Sequence, residues 1–140
     1  MSPPVVAYLT DLIFATKLSS TGIALGVGVK IVRTPSQLWD QLRAGGVRLV
    51  LIDLTAEGDP LDAIRRSRAD ESSPRTVAFA PHVRDDLIAA AREAGAGEVL
   101  ARSAFSKRLP ALLQQAGNEA AAGSAAADST DEAGPEKPGE

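Results

Sequence analysis

The sequence predicts an α/β protein in which one parallel sheet is covered by helices on both faces. Strand-like apolar segments alternate five times with segments of helical length and pattern. The strand-like segments are continuously apolar rather than alternating, which is typical of parallel strands buried on both faces. A (βα)5 order favours a doubly wound three-layer sandwich with the strand order 2-1-3-4-5.

The strand and helix signals follow each other at regular intervals. The strands are rich in Val, Ile and Leu and are predicted at 5–9, 27–32, 47–53, 75–80 and 98–101. Asp11, Thr34 and Asp59 are predicted N-caps, and proline follows the last two at the first helical position. Three of the helices are predicted to end at glycines, namely Gly26, Gly45 and Gly95. The predicted helices are 11–26, 34–46, 59–69, 84–95 and 106–117, the last with Pro110 in its first turn.

The chain of 140 residues is expected to form one domain, residues 1–116, followed by an acidic tail, residues 117–140. The tail contains no Leu, Ile, Val or aromatic residue, so disorder is expected there. It holds six acids and one lysine, which gives it a net charge of −5 and leaves the body at +2. We interpret the tail as a solubilising segment; a partner-binding role is the alternative.

Composition excludes several classes of protein. The chain has no cysteine, so disulfides and thiol chemistry are excluded. The single histidine argues against a histidine-built metal site. Its start lacks a basic leader, and no apolar run approaches the roughly 20 residues of a membrane span. We therefore expect a cytoplasmic protein without membrane contact. The mildly basic body does not predict nucleic-acid binding.

The carboxyl ends of parallel strands meet at one edge of the sheet, where doubly wound proteins bind ligands. The chain order puts Thr10, Asp11, Asp53, Ala80 and Arg102 at this edge, and His82 lies just beyond it. We call this edge the carboxyl rim.

Two stretches resemble the receiver domains of bacterial response regulators, which have a flavodoxin-like fold. "LVLIDLTAEGDP" (49–60) resembles the third strand and the loop that carries the phosphoacceptor aspartate, here Asp53. "AREAGAGEVLARSAF" (91–105) resembles the fourth helix, its Ala-Gly-Ala turn and the fifth strand. The resemblance covers residues 5–116. It implies phosphoryl transfer from a histidine kinase to Asp53, with Mg²⁺ held by Asp11 and Asp53.

The sequence departs from the receiver pattern at most of the positions that surround the aspartate. Asp11 matches the second acid of the metal-binding pair, but Thr10 replaces the first. Ala80 replaces the hydroxyl residue that reads the phosphoryl group. Arg102 replaces the lysine that contacts it, and Val99 takes the aromatic switch position.

Asp53 therefore has two interpretations. It is a phosphoacceptor, or it is a structural carboxylate paired with Arg102, whose guanidinium can form two hydrogen bonds to a carboxylate. We favour the structural pair. Asp11 is likewise either a helix N-cap or a metal ligand, and both roles are compatible.

Other candidate residues have mainly structural interpretations. His82 is expected in an exposed loop, with a ligand contact as the alternative. The glycine-rich stretch 24–30 precedes a strand, so it is not a phosphate loop. Trp39 is expected to pack partly buried on the second helix.

The sequence favours a degenerate, pseudo-receiver module that acts through phosphorylation-independent protein–protein interaction and is not an enzyme. The alternative is a single-domain response regulator phosphorylated on Asp53 in a phosphorelay, which would require Mg²⁺. A flavodoxin-like enzyme or nucleotide binder is disfavoured because no catalytic constellation is present. The expected partner is a protein, a histidine kinase or a signalling complex, and the chain is expected to be a monomer or a weak dimer.

Overall fold

The computed structural model describes residues 3–81 and 84–132, and residues 123–132 by their backbone alone. Five parallel strands form one sheet: β1 (Val5–Tyr8), β2 (Val29–Val32), β3 (Leu49–Asp53), β4 (Arg75–Ala80) and β5 (Glu98–Ala101). Their order is β2-β1-β3-β4-β5, and every neighbouring pair is parallel. The predicted fold class and strand order are confirmed.

Five helices connect and follow the strands in the described residues: α1 (Leu12–Leu25), α2 (Pro35–Ala44), α3 (Pro60–Ala69), α4 (Asp85–Ala94) and α5 (Arg102–Glu132). The predicted N-caps are confirmed, because Asp11, Thr34 and Asp59 each accept a hydrogen bond from a backbone N–H in the first turn. None of the helices in the described ranges is long and apolar enough to cross a membrane.

Alternate side chains of each central strand enter two separate cores. Val5, Ala7 and Leu9 pack with Leu109 and Leu113 in the core that α1 and α5 cover. The intervening residues of β1 and β3 pack with side chains of α2, α3 and α4 on the other face. This alternation explains the continuous apolar runs, because both faces of each central strand are buried.

The close approach of α1 to β2 depends on a glycine. Gly22 is buried, and a Cβ there would lie 2.7 Å from Cγ2 of Val29 and 2.8 Å from the carbonyl oxygen of Val27. The helix can lie directly on the strand because this position has no side chain. β2 begins at Val29 rather than at the predicted Val27, whose backbone N–H donates to the carbonyl oxygen of Gly22 at 2.9 Å.

The predicted start of the last helix is wrong. α5 begins at Arg102, directly after β5, instead of at Ser106. Phe105 is fully buried and stacks on Phe79 with the ring centroids 4.1 Å apart, so the core fixes the first turn. Pro110 consequently lies inside the helix, where its nitrogen cannot donate the usual backbone hydrogen bond.

The predicted end of the last helix is also wrong, because α5 continues past Gly117 to Glu132. Alanine has the highest intrinsic helix propensity, and the segment is alanine-rich. Arg75 and Glu119 form an ion pair of 3.2 Å, and a Cβ at Gly117 would contact Val27. The helix therefore continues beyond residue 116, the predicted end of the domain. The part of the predicted disordered tail at 133–140 lies outside the described residues.

We expect deletion of residues 121–140 to change the melting temperature by less than about 2 °C. Ala121 and Ala122 are exposed, and the deleted segment has no large apolar side chain to bury. Deletion of residues 117–140 should lower the melting temperature further, since it also removes Glu119. Thermal denaturation followed by circular dichroism compares the two. A loss of several degrees in the shorter deletion would contradict this prediction and show that the segment docks on the body.

Candidate functional site

Asp53 lies at the end of β3 with its carboxylate almost completely buried. The residue is 1% exposed, and both carboxylate oxygens have partners. Oδ1 accepts hydrogen bonds from the backbone N–H of Thr55 (2.9 Å) and from its hydroxyl (2.7 Å). Oδ2 accepts a hydrogen bond from Nη2 of Arg102 at 3.3 Å. The predicted pairing of Asp53 with Arg102 is confirmed.

Arg102 reaches a second carboxylate as well. Its Nη1 donates to Oδ2 of Asp11 at 3.4 Å, so one guanidinium bridges Asp11 and Asp53. Its carbon Cζ lies 4.7 Å from the ring centroid of Phe14 and 5.9 Å from that of Phe79. Nε of Arg102 is buried and has no hydrogen-bond partner among the described residues. The guanidinium is therefore held between two carboxylates and two aromatic rings.

Asp11 has both a capping and an electrostatic role. Its Oδ1 accepts a hydrogen bond from the backbone N–H of Phe14 at 3.1 Å, which caps α1. This hydrogen bond, followed by the positive charge of Arg102, holds the pKa of the Asp11 carboxyl below its ordinary value. The predicted N-cap role is confirmed, and the structure adds the contact with Arg102.

The loop between β3 and α3 is fixed to the end of β1. The hydroxyl of Tyr8 donates to the carbonyl oxygen of Glu57 at 2.7 Å, and Oγ1 of Thr10 accepts from the N–H of Glu57 at 3.4 Å. Burial raises the pKa of the Tyr8 hydroxyl, which keeps it protonated as a donor. Gly58 has a φ of 93°, and a Cβ there would collide with the Tyr8 hydroxyl. Thr10 therefore holds this loop in place through Glu57, and among the described residues it makes no hydrogen bond to Asp11, Asp53 or Arg102.

The other predicted rim residues contribute differently. Ala80 is fully buried and presents only a methyl group, so it cannot hydrogen bond to a ligand. His82 lies outside the described residues. The site also contains Thr55, Tyr8 and the rings of Phe14 and Phe79, which were not predicted from the sequence. A signal for Thr55 was present, since a Thr two residues after an Asp favours a local hydrogen-bonded turn.

The described residues contain no group of three His, Cys, Asp or Glu side chains that could hold a metal ion. Asp11 and Asp53 are the two candidate ligands for Mg²⁺, but Arg102 already contacts an oxygen of each. A hard cation prefers several free oxygen ligands. The site therefore does not fit Mg²⁺ in this arrangement, because a guanidinium lies between the two carboxylates.

Comparison with solved structures identifies the fold. The receiver domain of NtrX from Brucella abortus superposes with a TM-score of 0.67 at 13% identity, covering 80% of this chain and 96% of that one. The receiver domain of a putative LuxO repressor protein from Vibrio parahaemolyticus gives 0.69 at 14% identity, covering 90% and 98%. A response regulator from Thermotoga maritima gives 0.61 at 19%, covering 79% and 99%.

The chain has the receiver fold. It spans 29% of the length of a longer NtrX structure from Brucella abortus that it also matches. No protein-family model and no curated protein sequence matches the chain.

The receiver fold puts Asp53, Asp11 and Arg102 at one edge because β1, β3 and β5 all point their carboxyl ends there. Asp11 follows β1, Asp53 ends β3 and Arg102 follows β5. The three residues are far apart in sequence and come together only when the parallel sheet forms. The side chain of Arg102, which follows β5, therefore reaches Asp11 after β1 and Asp53 at the end of β3.

We expect Arg102→Ala to reduce the free energy of unfolding by about 2 kcal/mol, because it leaves the buried Asp53 carboxylate without its cationic partner. Arg108→Ala is the matched control: Arg108 pairs with Glu98, but both side chains are more than 40% exposed. Its substitution should cost much less stability, because an ion pair between exposed side chains contributes little to the free energy of unfolding. Urea denaturation measures both. An equal loss of unfolding free energy in the two variants would contradict the prediction and show that the ion pair with Asp53 stabilises the fold no more than an exposed pair does.

Proposed function

We propose that this chain is a degenerate receiver-like signalling module that acts through phosphorylation-independent protein–protein interaction. The observation that carries the proposal is the guanidinium of Arg102, which bridges Asp11 and Asp53. The module binds and has no catalytic turnover of its own. Its partner is a protein of a two-component pathway, a histidine kinase or a signalling complex, and the chain works in the cytoplasm.

The bridge and the residues around it oppose phosphoryl transfer in three ways. A carboxylate oxygen of Asp53 must attack phosphorus while the phosphorus–nitrogen bond of a phosphohistidine breaks, yet both oxygens already accept hydrogen bonds. Arg102 lies between Asp11 and Asp53, where a metal ion that neutralises the charge of the phosphoryl group would have to bind. Ala80 has no hydroxyl to bind the phosphoryl oxygens, so the side chain at this position could not respond to a transferred phosphoryl group.

The alternative is a single-domain response regulator phosphorylated on Asp53. In its favour, Asp53 ends β3 at the carboxyl rim, and both Thr55 and Arg102 carry donors that could turn to phosphoryl oxygens. This reading requires Arg102 to leave Asp11 so that Mg²⁺ can approach. Beryllofluoride, which mimics an aspartyl phosphate, separates the two functions.

We expect beryllofluoride with Mg²⁺ to leave the amide resonances of the rim unchanged up to millimolar concentrations. The reason is that Arg102 occupies the carboxylates that the mimic and the cation require. Heteronuclear NMR of the full chain measures this, and Arg102→Lys provides the matched variant that restores the usual receiver residue. Saturable shifts at Asp53 and Thr55 in the native chain would overturn the proposal in favour of the phosphoacceptor. Acetyl phosphate that labels the native chain but not Asp53→Asn would do the same.

The surface that we assign to the protein partner lies on α1, next to the rim. Leu12, Ile13 and Ile23 are 66%, 86% and 82% exposed. Spacings of three and four residues put them on one face of the helix, with exposed Thr16 and Ser20 between them. The large apolar side chains lie beside Thr16 and Ser20, and the exposed Lys17 follows Ile13 by four residues at the border of this face. A protein helix with an apolar stripe could cover the apolar side chains while Lys17 stays in contact with water. The face begins one residue after Asp11, which joins it to the rim.

We expect the double substitution Ile13→Glu and Ile23→Glu to abolish function while the melting temperature stays within about 2 °C. Both side chains are exposed, so a charge there costs little stability but is incompatible with an apolar partner. Gene replacement in the native organism tests function, and Asp53→Asn in the same background should remain functional. Retained function in the double variant would rule out this face. Loss of function in Asp53→Asn would support phosphorylation instead.

A further inference from the structure

Arginines from three elements meet at the edge of the sheet opposite the carboxyl rim. Arg48 precedes β3 and Arg75 begins β4, and the N–H of Arg75 donates to the carbonyl oxygen of Arg48 at 3.0 Å. Arg68, near the end of α3, donates from Nη1 to the carbonyl oxygen of Gly95 at 3.1 Å. This contact fixes the Arg68 side chain across the turn between α4 and β5.

Two adjoining clefts share Arg75. The first has a volume of about 360 Å³, and its lining includes Arg68, Arg75 and Ser73. The second has a volume of about 240 Å³, and its lining includes Arg48, Arg75, Ser73 and Glu119. We call the two together the basic cleft. Neither contains an aromatic side chain among its described lining residues.

The basic cleft has a surplus of positive charge. Glu119 is the one acid among its described lining residues, and it pairs with Nη2 of Arg75. Nε of Arg75 is buried without a hydrogen-bond partner in the described part of the chain. Arg48 is exposed, and within residues 3–81 and 84–122 it has no ion pair.

We propose that the basic cleft binds a small polyphosphate anion and that the Glu119 carboxylate is its internal competitor. Guanidinium groups match phosphate oxygens through paired, charge-assisted hydrogen bonds. Three arginines spread over two adjoining clefts suit an anion with several phosphate groups better than a single phosphate. Because no aromatic side chain is available to stack on a base, the polyphosphate itself is recognised, whether it is free or part of a nucleotide.

Substitution of Glu119 should change the affinity for the anion in the opposite direction to substitution of an arginine. The carboxylate of Glu119 already occupies one guanidinium of the basic cleft, so an incoming anion must displace it from Arg75. Removing the carboxylate should therefore tighten binding, whereas removing an arginine should weaken it. A charge change at the opposite edge of the sheet should do neither, because exposed charges beyond about 10 Å are largely screened at moderate salt.

Titration of the full chain with tripolyphosphate, followed by calorimetry and amide NMR, tests the site. We expect saturable binding with shifts around Ser73, Arg75 and Gly97, and a loss of about tenfold or more in Arg75→Gln, which corresponds to about 1.4 kcal/mol. Arg33→Gln, an equal charge change after β2, should alter the affinity less than twofold. Arg48→Gln, whose side chain is exposed, should also weaken binding and serves if Arg75→Gln does not fold.

Substitutions of acidic residues and a comparison of three phosphate ligands complete the test. Glu119→Gln should tighten binding several-fold, while Glu57→Gln, on the rim side, should not. ATP should bind about as well as tripolyphosphate, and inorganic phosphate more weakly. Absence of saturable tripolyphosphate binding, equal effects of Arg33→Gln and Arg75→Gln, or binding of ATP without tripolyphosphate would each overturn the proposal.

Discussion

The contacts of Arg102 with Asp11 and Asp53 determine what the carboxyl rim can do. A buried carboxylate is costly unless it is paired and hydrogen bonded, and Asp53 meets that requirement with Arg102 and Thr55 together. The same guanidinium lies over Phe14, so the core below the rim supports its position. The bridge joins the ends of β1, β3 and β5 through one side chain.

An arginine at this position differs in kind from a lysine. The planar fork of a guanidinium can contact two carboxylates at once, while an ammonium group is a compact point charge. In this chain the two nitrogens Nη1 and Nη2 contact different aspartates. One guanidinium therefore lies between the two aspartates and contacts an oxygen of each.

The two edges of the sheet have opposite electrostatic character. At the carboxyl rim, one arginine contacts two acids, which leaves this group of three side chains with one net negative charge. At the other edge, three arginines face one acid, Glu119, which arrives from a distant part of α5. Among the described residues that line the basic cleft, Glu119 is the one acid, and the C-terminal helix supplies it.

Local sequence patterns determined most of the fold. The apolar runs define strands buried on both faces, and Asp11, Thr34, Asp59 and Gly95 mark helix ends through backbone chemistry that acts within one turn. The pairing of Asp53 with Arg102 also followed from the sequence, because the strand order puts both residues at one edge. Chain order and charge were sufficient for that prediction.

Tertiary packing decided what local signals could not. The early start of α5 depends on Phe105 stacking on Phe79, a contact between residues 26 positions apart. The contact of Arg102 with Asp11 and the hydrogen bonds of Tyr8 and Thr10 to the backbone of Glu57 join segments that are far apart in the sequence. The basic cleft likewise forms only when Arg48, Arg68 and Arg75 are assembled by the sheet and α3. A one-dimensional pattern encodes which segments become helices and strands, but distances between their side chains exist only after those segments have packed.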